Sequence, residues 1–194
     1  MTRINIAHTV HGENSAYVPQ VKVCGLTHVQ EAVHCMSLGV NAIGYVFYPK
    51  SPRNISPGRA GDISRELPDT AFTVGVFVDE PFEMIMQTAE KAQLTGVQLH
   101  GRESPRLVER LRKENLTVIK ALFMGREPHL TDAPDYAASA FLVEYGRGRL
   151  PGGNAQTWDF TAARVFGETH PLILAGGISA DNVQAAVRPS DKGE

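Results

Sequence analysis

The side chains able to do chemistry stand just after short apolar runs. They are Cys24 in "VKVCGLT", Arg53 in "KSPRNI", Asp79, His100 in "QLHG", Glu144 in "FLVEYGRG" and the pair Gly176-Gly177 in "LILAGGIS". A cysteine acts as a base or nucleophile only as thiolate, so Cys24 would need local donors or positive charge to lower its pKa from about 8.5. A thiol closing a strand is equally a small buried core residue. The Glu144 carboxyl could trade protons with a bound molecule, or it could be a charged group at a solvated strand end. Arg53 offers a planar fork suited to a carboxylate, although Lys50 and Arg59 nearby also fit an ordinary basic surface. His100 is a lone histidine, a type more often packed and hydrogen-bonded than catalytic. Asp79 could bond within a site or cap the following helix. Glycines such as Gly176 and Gly177 let backbone approach a phosphate, and a helix opening at Ser179 would add free N–H groups, though a tight turn needs the same residues. Cys24 and Cys35 fit no disulfide framework or zinc spacing, and Cys35 falls at the edge of an apolar helix face as core filler.

These groups need elements to position them. Strand-like runs occupy residues 21–24, 42–47, 73–78, 96–99, 117–121, 140–144 and 172–175. They are short, continuous and often β-branched, which suits parallel strands buried on both faces. Helical spacing lies between them. Val29, Ala32, Val33 and Met36 form one apolar stripe, opened by a T-x-x-Q capping box at Thr27 and Gln30. Phe82, Ile85, Met86 and Ala89 form another. Ser104-Pro105 is an N-cap followed by proline, leading into Leu107, Val108 and Leu111. Ser179 can cap a last helix carrying Val183, Ala186 and Val187.

Strands alternating with helices imply βαβ units and a parallel sheet, either doubly wound or closed as a (β/α)₈ TIM barrel. No G-x-G-x-x-G follows the first strand, and the polar residues collect at the strands' C-terminal ends, the rim from which a barrel builds its site. The barrel is the expected fold. Seven strand–helix units account for most of the chain, and only "RPSDKGE" follows Val187. The expectation is therefore a barrel lacking a normal eighth strand and helix. Residues 1–19 read as a polar N-terminal extension and 20–194 as a single barrel domain, with "INIA" at 4–7 the sole strand-like run in the extension.

A chain of 194 residues with 42% hydrophobic and 21% charged residues fits one globular domain. A formal net charge of −2 supplies no basic field for nucleic acid or an anionic membrane. No apolar run reaches the roughly 18 residues of a spanning helix, and the N-terminus has no signal-peptide h-region. The cysteine usage suggests a reduced, cytoplasmic compartment. Nothing selects between a monomer and a homodimer.

The stretches "VKVCGLTHVQEA", "GYVFYPKSPRNIS", "VGVFVDE", "VQLHGRES", "VIKA", "LPGGNAQTWDF" and "LILAGGISADNV" occur in order over about residues 21 to 187. Together they closely resemble the phosphoribosylanthranilate isomerase family of tryptophan biosynthesis, which has a (β/α)₈ fold. The resemblance implies an Amadori rearrangement of a phosphosugar, aminoaldose to aminoketose, without metal or cofactor. It implies Cys24 as general base, Glu144 as general acid, Arg53 as ligand of the anthranilate carboxylate, and His100 in support. It also implies phosphate contacts at Gly176 and Gly177, and a substrate-covering loop at Gly152 and Gly153.

Three features depart from the family pattern. Glu144 stands where the family has aspartate. Asn154 and Ala155 follow the Gly152-Gly153 pair in place of Thr-Gly. The Ser-Ser-Gly-Val-Glu-like stretch of the eighth strand has no counterpart. Two other readings follow: a non-catalytic barrel that binds or interacts, and a different phosphosugar barrel enzyme. For the latter, an epimerase would want a His/Asp metal set on the strands, which the sequence does not offer.

Overall fold

The computed structural model describes residues 20–146 and 158–187. Seven parallel strands lie in sequential order, β1 (Lys22–Cys24), β2 (Ala42–Val46), β3 (Phe72–Phe77), β4 (Gly96–Leu99), β5 (Thr117–Phe123), β6 (Ala140–Glu144) and β7 (Leu172–Leu174). Six helices connect or follow them: α1 (Val29–Ser37), α2 (Pro57–Glu66), α3 (Phe82–Ala92), α4 (Pro105–Lys113), α5 (Thr161–Gly167) and α6 (Val183–Val187). Between β5 and β6 stands a 3₁₀ segment, Leu130–Asp135, instead of an α-helix. Pro134 within it lacks the N–H that a longer helix would use.

Each strand shows its alternation in where its residues pack. Ile43 and Tyr45 of β2 and Val97 and Leu99 of β4 face the helices, meeting Ile63, Ile85, Val108 and Leu111 in the larger core. Ala42, Phe72, Val74, Ile119, Ala121 and Leu142 take the opposite face and fill the interior. Burial of each Val, Ile, Leu or Phe among them is worth about 1.5–3 kcal/mol relative to exposure. The sheet curls as a barrel wall does. Lys22 on β1 reaches Gln98 on β4 at 3.0 Å, yet in a flat sheet three strand spacings would separate them by about 14 Å.

The strand expectations hold at all seven positions, within one or two residues at the ends. The Ser104 cap holds as well, since its hydroxyl accepts from Leu107 N at 3.3 Å with Pro105 as first helical residue. Ser56-Pro57 opens α2 in the same way, and neither α2 nor α5 belonged to the helices assigned from sequence. Two caps are corrected. The expected Thr27–Gln30 box does not form, because His28 is the N-cap residue and the Thr27 hydroxyl engages its Nδ1 at 3.0 Å. Ser179 does not cap α6 with its side chain. Its main-chain carbonyl accepts from Val183 N at 2.9 Å, and the helix begins at Val183. The expectations on residues 1–19 and on an eighth strand after 187 lie outside the described residues.

Candidate active site

Period-two alternation puts Lys22 and Cys24 on one face of β1, and the path of β2 shows that this face is the interior. A Cβ built on Gly44 would lie 2.8 Å from Cys24 Sγ and 3.1 Å from Lys22 Nζ. Gly44 therefore leaves the space in which the thiol and the ammonium sit. Gly25 follows with φ +87°, and a Cβ there would lie 2.6 Å from Arg53 Cδ. Glycine is required both for that backbone turn and for the arginine's path over it. Arg53 Nη1 then donates to the main-chain carbonyl of Cys24 at 2.9 Å. Thiol and guanidinium thus share one corner of the rim.

A second set of groups enters from β4 and β6. Lys22 Nζ donates to Gln98 Oε1 at 3.0 Å, Gln98 Nε2 meets His100 Nδ1 at 2.9 Å, and His100 Nε2 meets Glu144 Oε1 at 3.4 Å. His100 and Glu144 are only 6% and 7% exposed, so bulk water competes little for these bonds. The His100 ring stands edge-on to Phe123, with centroids 5.5 Å apart. Arg126 lays its guanidinium 3.4 Å over the same phenyl ring and donates to the carbonyl of His100 at 3.4 Å. Burial draws the Arg126 pKa down, and the Glu144 carboxylate opposes that shift. The stacking on Phe123 and the bond to the His100 carbonyl hold this cation at the rim.

Outside this face, the loop after β4 is fixed by a buried ion pair. Lys120 on β5 is fully buried, with Nζ 2.8 Å from Glu103 Oε2, 2.8 Å from the carbonyl of Gly101 and 3.3 Å from that of Leu99. Burial lowers the Lys120 pKa, and Glu103 works against it. Glu103 Oε1 also accepts from the backbone N–H groups of Asp79 and Gly101. Asp79 accepts in turn from Arg102 N at 2.6 Å. Asp79 therefore binds the loop after β4 and caps no helix, since Pro81 is the N-cap residue of α3.

At the end of β7, Gly176 and Gly177 take φ values of +82° and +68°. A Cβ on Gly176 would lie 3.2 Å from Glu144 Cβ and 3.3 Å from Trp158 Nε1. The bare glycine lets this loop pass against both, and Trp158 Nε1 donates to the carbonyl of Ala175 at 3.2 Å. Asn182 ties the loop down, donating to the carbonyl of Gly177 at 2.8 Å and accepting from Ser179 N at 2.8 Å. Gly152 and Gly153 lie outside the described residues.

The structure brings Cys24, Arg53, His100, Glu144 and Gly176 to one rim. Lys22, Gln98, Arg126 and Asn182 belong there too and escaped the sequence reading. For Lys22 and Gln98 the signal was present: each is a polar residue in an apolar strand, two positions before Cys24 or His100, and so on the same face. Among the described residues no group of three or more His, Cys, Asp or Glu side chains is arranged to hold a metal ion. No helix among them is long and apolar enough to cross a membrane.

Residues 21–193 match the family model described as N-(5'-phosphoribosyl)anthranilate (PRA) isomerase. The N-(5'-phosphoribosyl)anthranilate isomerase of Desulfatibacillum aliphaticivorans is 46% identical over 168 residues, covering 87% of this chain and 77% of that protein. The crystal structure of phosphoribosyl anthranilate isomerase from Thermus thermophilus superposes with a TM-score of 0.79 at 34% identity, covering 88% of this chain and 84% of the other. A phosphoribosyl anthranilate isomerase solved in complex with reduced 1-(o-carboxyphenylamino)-1-deoxyribulose 5-phosphate superposes with a TM-score of 0.74 at 35% identity, covering 88% of this chain and 81% of the other.

Proposed function

The chain belongs to the N-(5'-phosphoribosyl)anthranilate isomerase family, and on that premise we propose that it converts N-(5-phosphoribosyl)anthranilate to 1-(2-carboxyphenylamino)-1-deoxyribulose 5-phosphate. The reaction is an Amadori rearrangement within tryptophan biosynthesis. In this reading the Glu144 carboxyl protonates the ribose ring oxygen, and the ring opens to a Schiff base. The Cys24 thiolate takes the proton from C2′, giving an enaminol that tautomerises to the ketose as C1′ gains a proton and the C2′ hydroxyl loses one. Two groups exchanging protons with one substrate must face each other across it, and their surroundings set their roles.

The observation that carries this reading is the joint placement of Cys24 with Arg53 at the end of β1, and of Glu144 on the same interior face at the end of β6. Arg53 would hold the anthranilate carboxylate beside the thiol. His100 would support the acid from the position just after β4. The positive-φ glycines Gly176 and Gly177 would present main-chain N–H groups to the phosphate. Gly152 and Gly153 would cover the substrate, in a single barrel domain from residue 20 onward. Both cysteines are free thiols, as a reduced cytoplasmic setting would keep them.

The test is turnover of phosphoribosylanthranilate by the purified chain, followed through the substrate's fluorescence, with Cys24→Ala beside it. Turnover that disappears in Cys24→Ala supports the assignment of the base. A folded chain without turnover would turn the reading toward a barrel that binds and does not catalyse.

A further inference from the structure

We propose that Lys22 and Gln98 are positioning residues that decide which nitrogen of His100 carries the proton, and thereby keep the proton of Glu144 for the substrate. The fate of the Glu144 proton rests on the proposed role of Glu144 as the acid, whereas the tautomer of His100 follows from the geometry of β1, β4 with the residue after it, and β6.

The direction of the chain of bonds follows from its first member. A lysine ammonium has three donors and no acceptor. The atom of Gln98 facing Lys22 Nζ at 3.0 Å must therefore be the amide oxygen. That turns the NH₂ end of the same amide toward His100 Nδ1, 2.9 Å away. An N–H₂ group there needs a lone pair to point at, so Nδ1 is unprotonated and neutral His100 carries its hydrogen on Nε2. Nε2 faces Glu144 Oε1 at 3.4 Å, where it donates. Every bond from Lys22 to Glu144 then runs one way.

The chemical consequence lies at the acid. With the opposite tautomer, Nε2 would present a lone pair to Glu144. A protonated Glu144 would hand its proton to that lone pair inside the protein, and an ionised Glu144 would be pushed away from it. With Nε2 already protonated, a neutral His100 is no acceptor on that side. The acid's proton is left for the substrate oxygen, and the carboxylate formed afterwards accepts from Nε2–H. Gln98, His100 and Glu144 are at most 7% exposed, so the network and not bulk water sets this orientation.

The experiment reads the tautomer directly, by ¹⁵N NMR of histidine-labelled protein through the couplings of His100 ring carbons to each nitrogen. The native chain should show protonated Nε2 and bare Nδ1. Free imidazole already favours that form, so the discriminating arm is Gln98→Glu. A carboxylate between Lys22 and His100 accepts at both ends and should leave Nδ1 protonated. Lys22→Met frees the Gln98 amide to turn and should give a mixture, which Lys22→Arg, again donor-only, returns to the native form. In Gln98→Glu, kcat should fall about ten- to a hundredfold with KM changed far less. A native His100 with the hydrogen on Nδ1, or a Gln98→Glu protein whose Nδ1 stays bare, overturns the proposal. So does lost turnover with the tautomer unmoved in both Lys22→Met and Gln98→Glu. The NMR arms need no turnover, so an inactive native chain would count against Glu144 as acid and leave the tautomer claim to its own result.

Discussion

Arg53 reaches over Gly25 to donate an Nη1–H to the main-chain carbonyl of Cys24 at 2.9 Å. The proposed carboxylate ligand is thus tied to the backbone of the proposed base. The path from thiol to guanidinium runs only through the Cα and carbonyl of Cys24 and one hydrogen bond. Displacement at the end of β1 moves both together, whereas displacement of Arg53 alone spoils binding and leaves the thiol in place.

Gly25→Ala separates the two roles. The added Cβ would fall 2.6 Å from Arg53 Cδ, and φ is +87°, a strained value for alanine worth about 1–3 kcal/mol. The arginine side chain is the part free to move. Steady-state kinetics should show KM raised about tenfold with kcat much less affected, the pattern of lost binding shared by ground and transition states. An unchanged KM would remove Arg53 from the anthranilate site.

Gly44→Ala strikes the thiol instead. Its Cβ would meet Cys24 Sγ at 2.8 Å, Cys24 Cα at 3.1 Å and Lys22 Nζ at 3.1 Å. Sulfur and ammonium can swing aside, but the Cα belongs to the strand and cannot. A thiol displaced by about 1 Å costs on the order of a hundredfold in rate. The loss should appear in kcat, with far-UV circular dichroism unchanged. Full activity in Gly44→Ala would return Cys24 to the role of core filler.

Glu144→Gln keeps the shape of the side chain and an oxygen for His100 Nε2, so the barrel should remain intact. It removes the transferable proton, and kcat should fall about 10²- to 10⁴-fold with KM nearly constant. Glu144→Asp keeps the proton but withdraws the carboxyl by one methylene from a contact already 3.4 Å long. Its loss should be smaller, and it tests whether this site is built around glutamate. A kcat indifferent to Glu144→Gln would place the acid elsewhere on the rim.

The parts legible in the sequence were those with a local cause. Short apolar runs that carry β-branched residues and lie between turn signals favour buried strands, and they stand at 42–46, 72–77 and 117–123 in the structure. Ser104-Pro105 signals a helix start through its own hydroxyl and ring, whatever lies around it. Thr27 failed as a cap because its hydroxyl found the neighbouring His28 ring, a competition the T-x-x-Q pattern does not encode. Cys24, Arg53, His100 and Glu144 could be placed at strand ends, but their meeting depends on the curl of the sheet. The same curl brings Lys22 to Gln98, a contact over 76 positions that no local spacing announces. Arg126 was hidden for another reason: it lies in a loop, and its place follows from stacking on Phe123.

The Lys120–Glu103 pair gives a prediction on stability that is separate from turnover. Removing the cation by Lys120→Met leaves a buried carboxylate without its partner and should cost about 3 kcal/mol, read from denaturant unfolding. Glu103→Gln with Lys120→Met should recover part of that loss, since the amide oxygen can still accept from Asp79 N and Gly101 N. The pH dependence follows from the sign of the Lys120 shift. Burial sets its folded pKa below the ordinary 10.5, so the unfolded chain holds more protons in the window between the two values. Stability contributed by this group therefore rises with pH through that window, and below the folded pKa, where both states hold the proton, it is independent of pH. The native chain should gain stability relative to Lys120→Met as pH approaches 10.5 from below. Parallel unfolding curves for the two proteins across that range would mean that Lys120 keeps its charge in the fold as readily as in water.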